Sequence, residues 1–345
     1  MDSKTVADMT GASLRTKVNH YKKRAREIED CLLKNPEEWG RFQSEFNWEV
    51  DLIFRDIMNF EKENMASGQE DKVYKLKNLF VKKIRKIFER GELTGWILRK
   101  PYGYAGDFKI IEDIYENDPT TIGFERLFDN YIQMSAISVA VRNRKDDFKR
   151  FIARFIRKKQ GQPIRIMDLA SGPCREIREL LSEENDLCAR ATFDCYDNDE
   201  HSIEFASDLL EQYPNVHFIK ENATRIAFRK DIDALIGKKY DFIYSTGLFD
   251  YFEERLATKL IANLRRLLAP GGEMIISDVR DKYSNPSVHF MEWVGEWELV
   301  YRDDDNFRNI FMNAGFKKDE IKFQYEQQGI LQYIKAANKY YQPGS

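Results

Sequence analysis

The stretch IRIMDLASGPCREIREL, residues 164–180, constrains the fold of this chain more than any other. Ile164, Ile166 and Leu169 mark a buried strand, Gly172-Pro173 break it, and a helical run begins at once. Strand, tight turn and helix N-terminus in that order are how α/β folds present backbone N–H groups to a nucleotide-like ligand. Ala170 and Cys174 stand where a dinucleotide loop carries its first and last glycines. Only Gly172 remains of that pattern, so a closely approaching pyrophosphate is disfavoured.

Beyond this point strands and helices alternate. Strands are expected at 164–170, 192–197, 216–222, 240–246, 273–279, 321–327 and 330–337. Helices fit between most of them, as in ERLATKLIANLRRLLA (254–269), which runs into Pro270-Gly271-Gly272. Such alternation implies a parallel sheet covered by helices. The last two strands are joined through Gln328-Gly329 alone, too short for a crossover helix, so they should pair antiparallel.

Residues 12–158 read differently, with helical periodicity and almost no strand signal. In KVYKLKNLFVKKIRKIFER (72–90), Val73, Leu76, Phe80, Ile84 and Ile87 recur at three- and four-residue spacing, with basic residues opposite. DDFKRFIARFIRKK (146–159) repeats the pattern. The polar run around Gly161-Gln162-Pro163 separates the two patterns, giving a helical region 1–160 and an α/β domain 161–345. The halves also differ in charge: residues 1–160 hold 32 Lys and Arg against 26 Asp and Glu, and residues 161–345 hold 23 against 32. A basic stripe opposite an apolar one is read first as a solvated helix face, with nucleic acid a disfavoured partner. No apolar run is long enough to span a bilayer and no secretory leader is visible. Cys31, Cys174, Cys188 and Cys195 lack metal-ligand spacing, so reduced thiols in the cytoplasm are expected, with no metal.

Four features then fall in register. They are Asp168 with Ala170-Ser171-Gly172 after the first strand, Asp197-Asn198 after the second, Asn222-Ala223 after the third, and Leu268-Ala269-Pro270-Gly271-Gly272 before the fifth. Asp197 can accept hydrogen bonds from both ribose hydroxyls and would repel a 2′-phosphate. Together these motifs resemble class I S-adenosylmethionine-dependent methyltransferases over about residues 163–338. The resemblance implies a Rossmann-like seven-stranded sheet with its last strand antiparallel, and S-adenosyl-L-methionine as cofactor. It implies that Asp168, Ala170, Ser171 and Gly172 cradle the methionine part and that Asp197 and Asn198 meet the ribose. Asn222 and Ala223 would bracket the adenine, and Ser245, Thr246 and Gly247 would line the floor. Cys174 departs from the family glycine and is read as a buried thiol. Asp199 is read as a helix cap.

A narrower resemblance rests on KPYGYAGDFKIIEDIYEN (100–117), on Arg142-Asn143-Arg144, and on HFMEWVGEWELVYRDDDNF (289–307). These resemble bacterial methyltransferases that make 3-hydroxy fatty acid methyl esters, a type of quorum signal. That likeness implies a helical cap and names Tyr104, Tyr251, Glu292 and Arg302 as candidate catalytic residues. Arg142, like Arg144, could pair with the carboxylate of the cofactor or of an acidic substrate; for Arg144 a surface helix charge is the preferred reading. Tyr102 and Tyr104 read equally as binding surface or as packing, and Asp107 as a loop-fixing group or a helix cap. Trp293 and Trp297 read equally as core or as a binding wall. His289 is read first as a packing residue and only second as a base.

The expected reaction is methylation of a small molecule, with a carboxylate oxygen preferred because a carboxylate is already a nucleophile at neutral pH. Another small metabolite, or an RNA or protein acceptor using the basic helical region, is the alternative. The oligomeric state is left open, a homo-oligomer included.

Overall fold

The computed structural model describes residues 3–159 and 161–339. They form two compact units, one of residues 1–139 with 285–298, the other of residues 140–284 with 299–345.

The first unit holds helices α1 (Ser3–Leu32), α2 (Gln43–Ala66), α3 (Glu70–Lys83), α4 (Glu92–Arg99), α5 (Phe108–Glu116) and α6 (Gly123–Met134). Its core is aromatic: Phe46, Phe54, Phe80, Phe88 and Phe128 are all buried. The apolar stripe read in α3 is the one it buries, through Val73, Leu76 and Phe80. Segment 285–298, which carries His289, Glu292, Trp293 and Trp297, packs into this unit. Phe290 meets Phe54 at 5.3 Å and Trp293 meets Phe80 at 5.5 Å between ring centroids. Trp293 is therefore core.

The second unit carries a seven-stranded sheet in the order β3-β2-β1-β4-β5-β7-β6. Its strands are β1 (Ile164–Leu169), β2 (Ala191–Asp197), β3 (Val216–Lys220), β4 (Tyr240–Ser245), β5 (Leu268–Val279), β6 (Ile321–Tyr325) and β7 (Leu331–Ala337). The first five are parallel and β7 runs antiparallel to both β5 and β6, as the short β6–β7 connection required. One boundary differs from expectation. The helix before β5 stops at Leu267 and the strand begins at Leu268, because Leu268 pairs with Tyr240 across an irregularity in the ladder. Gly272 permits that irregularity, since a Cβ there would sit 2.9 Å from the Ala269 carbonyl oxygen.

Helix α7 (Ala136–Lys158) lies mostly in the second unit. The compact units thus divide at 139/140, within the first turn of α7. The physical reason is that the apolar stripe of α7 covers the sheet. Phe148 packs on Tyr244 and Tyr333 at 5.7 and 5.4 Å, and Phe155 on Phe242 at 4.8 Å. Phe148 is fully buried, so Phe148→Ala should destabilise the protein by about 3–5 kcal/mol. Denaturant unfolding monitored through the sheet domain would measure it.

Candidate active site

The carboxyl ends of the parallel strands, where this architecture places its ligands, carry most of the residues singled out above. The turn after β1 takes left-handed backbone three times within five residues, at Ala170 (φ 56°), Gly172 (φ 55°) and Cys174 (φ 49°). Only glycine adopts that conformation without strain. Two of the three positions therefore carry side chains where the fold asks for glycine. Hydrogen bonds to β2 and its end hold them there. The Ser171 N–H donates to the Tyr196 carbonyl at 3.1 Å, tying the turn to β2. The Gly172 N–H donates to Asp197 Oδ2 at 2.9 Å, and Asp197 Oδ1 accepts from the Asp199 N–H at 2.9 Å. Burial raises the Asp197 carboxyl above its usual range, against the pull of these two N–H groups.

Beneath the turn lies an acidic knot. Asp168 is buried, and neither of its carboxylate oxygens accepts a hydrogen bond among the described residues. Glu176, on the following helix Arg175–Glu183, is also buried and accepts from the Tyr244 hydroxyl at 3.0 Å. Burial, with Glu176 close by, pushes the Asp168 carboxyl well above the ordinary carboxylate range. Glu176 is raised too, chiefly by burial, while the Arg144 guanidinium pulls it back. Cys174 is buried against Cys195, and the thiol is held well up by that contact and by burial. It is the packing residue it was read to be.

Arg144 is the main correction. Read as a surface helix charge, it is buried at 5 % exposure, and its Nη2 lies 3.4 Å from where a Cβ on Gly247 would stand. The signal was present, because Arg144 falls on the same helical stripe as the buried Ala140, Phe148 and Ile152. Arg142 is half-buried, and desolvation lowers its pKa.

The other candidates separate. Asn198 Oδ1 accepts from Asn222 Nδ2 at 3.2 Å, so the ends of β2 and β3 do bring these two together. Asn222 caps the helix that begins with the buried Ala223. Asp199 caps the helix Glu200–Leu210, as read. Ser245 is buried and donates to the Leu169 carbonyl at 2.7 Å, while Thr246 and Gly247 are half-buried beyond it. Tyr251 is 40 % exposed on the loop after β4. Arg302, expected at the reacting centre, instead commits its guanidinium to Asp278 and to the carbonyls of Phe249 and Phe252.

Tyr104 and Glu292 belong to the helical unit, Tyr104 exposed and Glu292 buried. Asp107 caps α5 through the Ile110 N–H at 2.9 Å and also accepts from Trp96 Nε1 at 3.0 Å, so cap and loop-fixing group are one residue. Tyr102 packs on Phe108 at 4.9 Å. His289 is fully buried with Nε2 3.1 Å from Glu61, inside the helical unit.

Sheet order and a strained turn tied to an acid on β2 define a Rossmann-like domain of the methyltransferase type. The sequence profile of a methyltransferase-domain family matches residues 161–335, just over half of the chain, and the chain belongs to that family. It is an enzyme, with S-adenosylmethionine as its methyl donor. Among solved structures, a "possible exported protein" from Bordetella parapertussis shares 15 % identity at a TM-score of 0.58, over 76 % of this chain and 95 % of that one. Magnesium protoporphyrin IX methyltransferase from Synechocystis, with bound S-adenosylhomocysteine, shares 14 % identity at a TM-score of 0.46, over 66 % and 92 %. No curated protein matches the sequence. No helix among the described residues is long and apolar enough to cross a membrane.

The residues fit the donor. The buried Asp168 carboxyl, whose oxygens accept no hydrogen bond among the described residues, and the half-buried Asp197 carboxyl offer oxygens that could meet an ammonium and hydroxyl groups.

Two outcomes follow from this geometry. Ala170→Gly relieves about 1–2 kcal/mol of left-handed strain against about 0.4–1 kcal/mol of added chain entropy. It should therefore match or exceed the wild type in chemical denaturation. Asp168, with its folded pKa raised, keeps a proton that the unfolded chain has lost, so its contribution to stability falls as pH rises above the ordinary carboxylate range. Asp168→Asn removes that slope. Its melting temperature relative to wild type should rise between about pH 4 and about pH 8, as scanning calorimetry would register.

Proposed function

We propose that this methyltransferase esterifies a carboxylic acid, a small molecule of the 3-hydroxy fatty acid type implied by the narrower resemblance. The observation that carries the reading is Arg144, a buried guanidinium beside Gly247 at the end of β4. A planar, permanently charged fork is the side chain best matched to a carboxylate. Its desolvation is offset by Glu176 and Asp250, whose carboxyls burial raises and the Arg144 charge pulls back. The nucleophile of such a reaction is already ionised at neutral pH, and the residues need only bind, orient and exclude water. His289, the histidine weighed as a base, is occupied with Glu61.

In this reading Asp197 accepts from the ribose hydroxyls, supported from behind by the Gly172 N–H. Asn222, steadied by Asn198, and Ala223 bracket the adenine. Asp168 receives the ammonium of the methionine part, Ala170, Ser171 and Gly172 enclose that part, and Arg142 faces anionic groups with Arg144. Ser245, Thr246 and Gly247 form the floor. Tyr251, on the loop after β4, is assigned to the acceptor; Tyr104 and Glu292 lie in the helical unit. When bound, the sulfonium supplies an electrophilic methyl group, and the enzyme's part is alignment.

The deciding test is to incubate the full chain with labelled S-adenosylmethionine and a panel of acids, amines and phenols, and to identify products by mass. A methyl ester is expected; transfer only to nitrogen or to phenolic oxygen would overturn the carboxylate reading. Asp197→Ala should stay folded and weaken donor binding by at least about tenfold, since a hydrogen bond to a charged group contributes about 1.5–3 kcal/mol. Calorimetric titration with S-adenosylmethionine would measure it. Arg144→Met should raise the KM for the acid far more than it changes donor affinity.

A further inference from the structure

Arg302 sits at the centre of a buried polar network that the ends of three chain segments share. Its Nη1 donates to both Asp278 oxygens, at 3.0 and 3.1 Å, and to the Phe249 carbonyl at 3.0 Å, while Nη2 donates to the Phe252 carbonyl. Asp278, next to last in β5, is fully buried. Burial and the nearby Asp250 carboxyl raise that of Asp278, and Asp250 Oδ1 accepts the Val279 N–H at 2.6 Å. Val300 N–H donates to the Asp250 carbonyl at 2.7 Å, and the Arg302 carbonyl accepts from Gln332 Nε2 at 2.7 Å. The guanidinium thus joins the loop after β4 to the end of β5, and the Arg302 carbonyl ties the same residue to β7 through Gln332.

A buried ionic network of this kind is weak evidence for stability, because desolvating its charges offsets most of their attraction. What it does supply is geometry. The bound carbonyls, of Phe249 and Phe252, flank Tyr251 on both sides, and Thr246-Gly247 lie just upstream. Only a planar fork can reach a carboxylate and two diverging carbonyls at once.

We propose that Arg302 is a positioning residue for methyl transfer: clamped to Asp278 and to the Phe249 and Phe252 carbonyls, it fixes the loop 246–252 that carries Tyr251 to the end of the sheet. The inference rests on the methyltransferase activity and not on the carboxylate reading. Residues 285–298 leave the sheet unit between β5 and Arg302, so the clamp also fixes the point where the chain re-enters it.

Arg302→Lys keeps the charge beside Asp278 and loses the fork. In the full-length protein we expect cooperative unfolding to persist and the calorimetric affinity for S-adenosylmethionine to change by less than about threefold. Hydrogen exchange at 249–252 and at Val279 should speed up by at least about tenfold, with 168–174 unchanged, the signature of a local opening. With any acceptor that the wild type methylates, kcat should fall by at least about tenfold while the KM for the donor holds. Wild-type exchange at 249–252 in a folded variant would overturn the proposal. So would acceleration spread equally over 168–174, which would mark a merely structural role. If Arg302→Lys does not fold, Asp250→Ala removes the acceptor for Val279 and must loosen the same loop; an unchanged loop there is equally fatal. Exchange is read without donor or acceptor, so a wild type that failed to bind S-adenosylmethionine would defeat the functional reading while leaving the clamp separately decided.

Discussion

Two carboxyl groups, Asp168 and Glu176, are buried side by side beneath the turn after β1, and much of the sheet unit is arranged around that fact. Desolvation of two acids in contact is tolerable only if protons are retained or a cation is brought in. The fold does both. Their carboxyls titrate high, Tyr244 donates to Glu176, and α7 delivers the Arg144 guanidinium from a helix whose other stripe residues are apolar. That delivery requires α7 to lie on the sheet, which is why it packs with residues 140–284.

Above the acids the turn carries backbone strain at Ala170 and Cys174. Left-handed Ala170 and Cys174 are held by strand-to-turn hydrogen bonds and by Asp197, so the same carboxylate assigned to the ribose also braces the loop. Binding and turn geometry are thereby linked, since any shift of Asp197 moves Gly172 with it. Strain concentrated at a ligand loop and compensated by its surroundings is a recurring arrangement in functional sites.

Arg144 and Arg302 divide the labour that sequence reading had assigned differently. Arg144 is buried among acids at the end of β4 and has the chemistry to meet an anion. Arg302 has its fork occupied by Asp278 and two carbonyls, and serves as a joint. His289 shows the same lesson in the helical unit, where Glu61 claims it. A charged side chain near a site in sequence becomes a scaffold element when long-range partners close around it.

What the sequence determined was local. Alternating apolar positions gave the seven strands to within a few residues, and the Gln328-Gly329 turn gave the antiparallel return. The Asp168–Gly172, Asp197 and Asn222 motifs gave the donor, and side-chain chemistry alone identified the cap at Asp199 and left Asp107 between cap and loop-fixing group. Each depends on neighbours a few residues away. Tertiary structure decided the rest. The burial of Arg144, the joint between Arg302, Asp278 and Asp250, the pairing of His289 with Glu61, and the departure of 285–298 into the helical unit all join residues far apart in the chain. No periodicity encodes such partners, because the energy of a buried charge is set by whichever groups the completed fold brings within hydrogen-bonding distance.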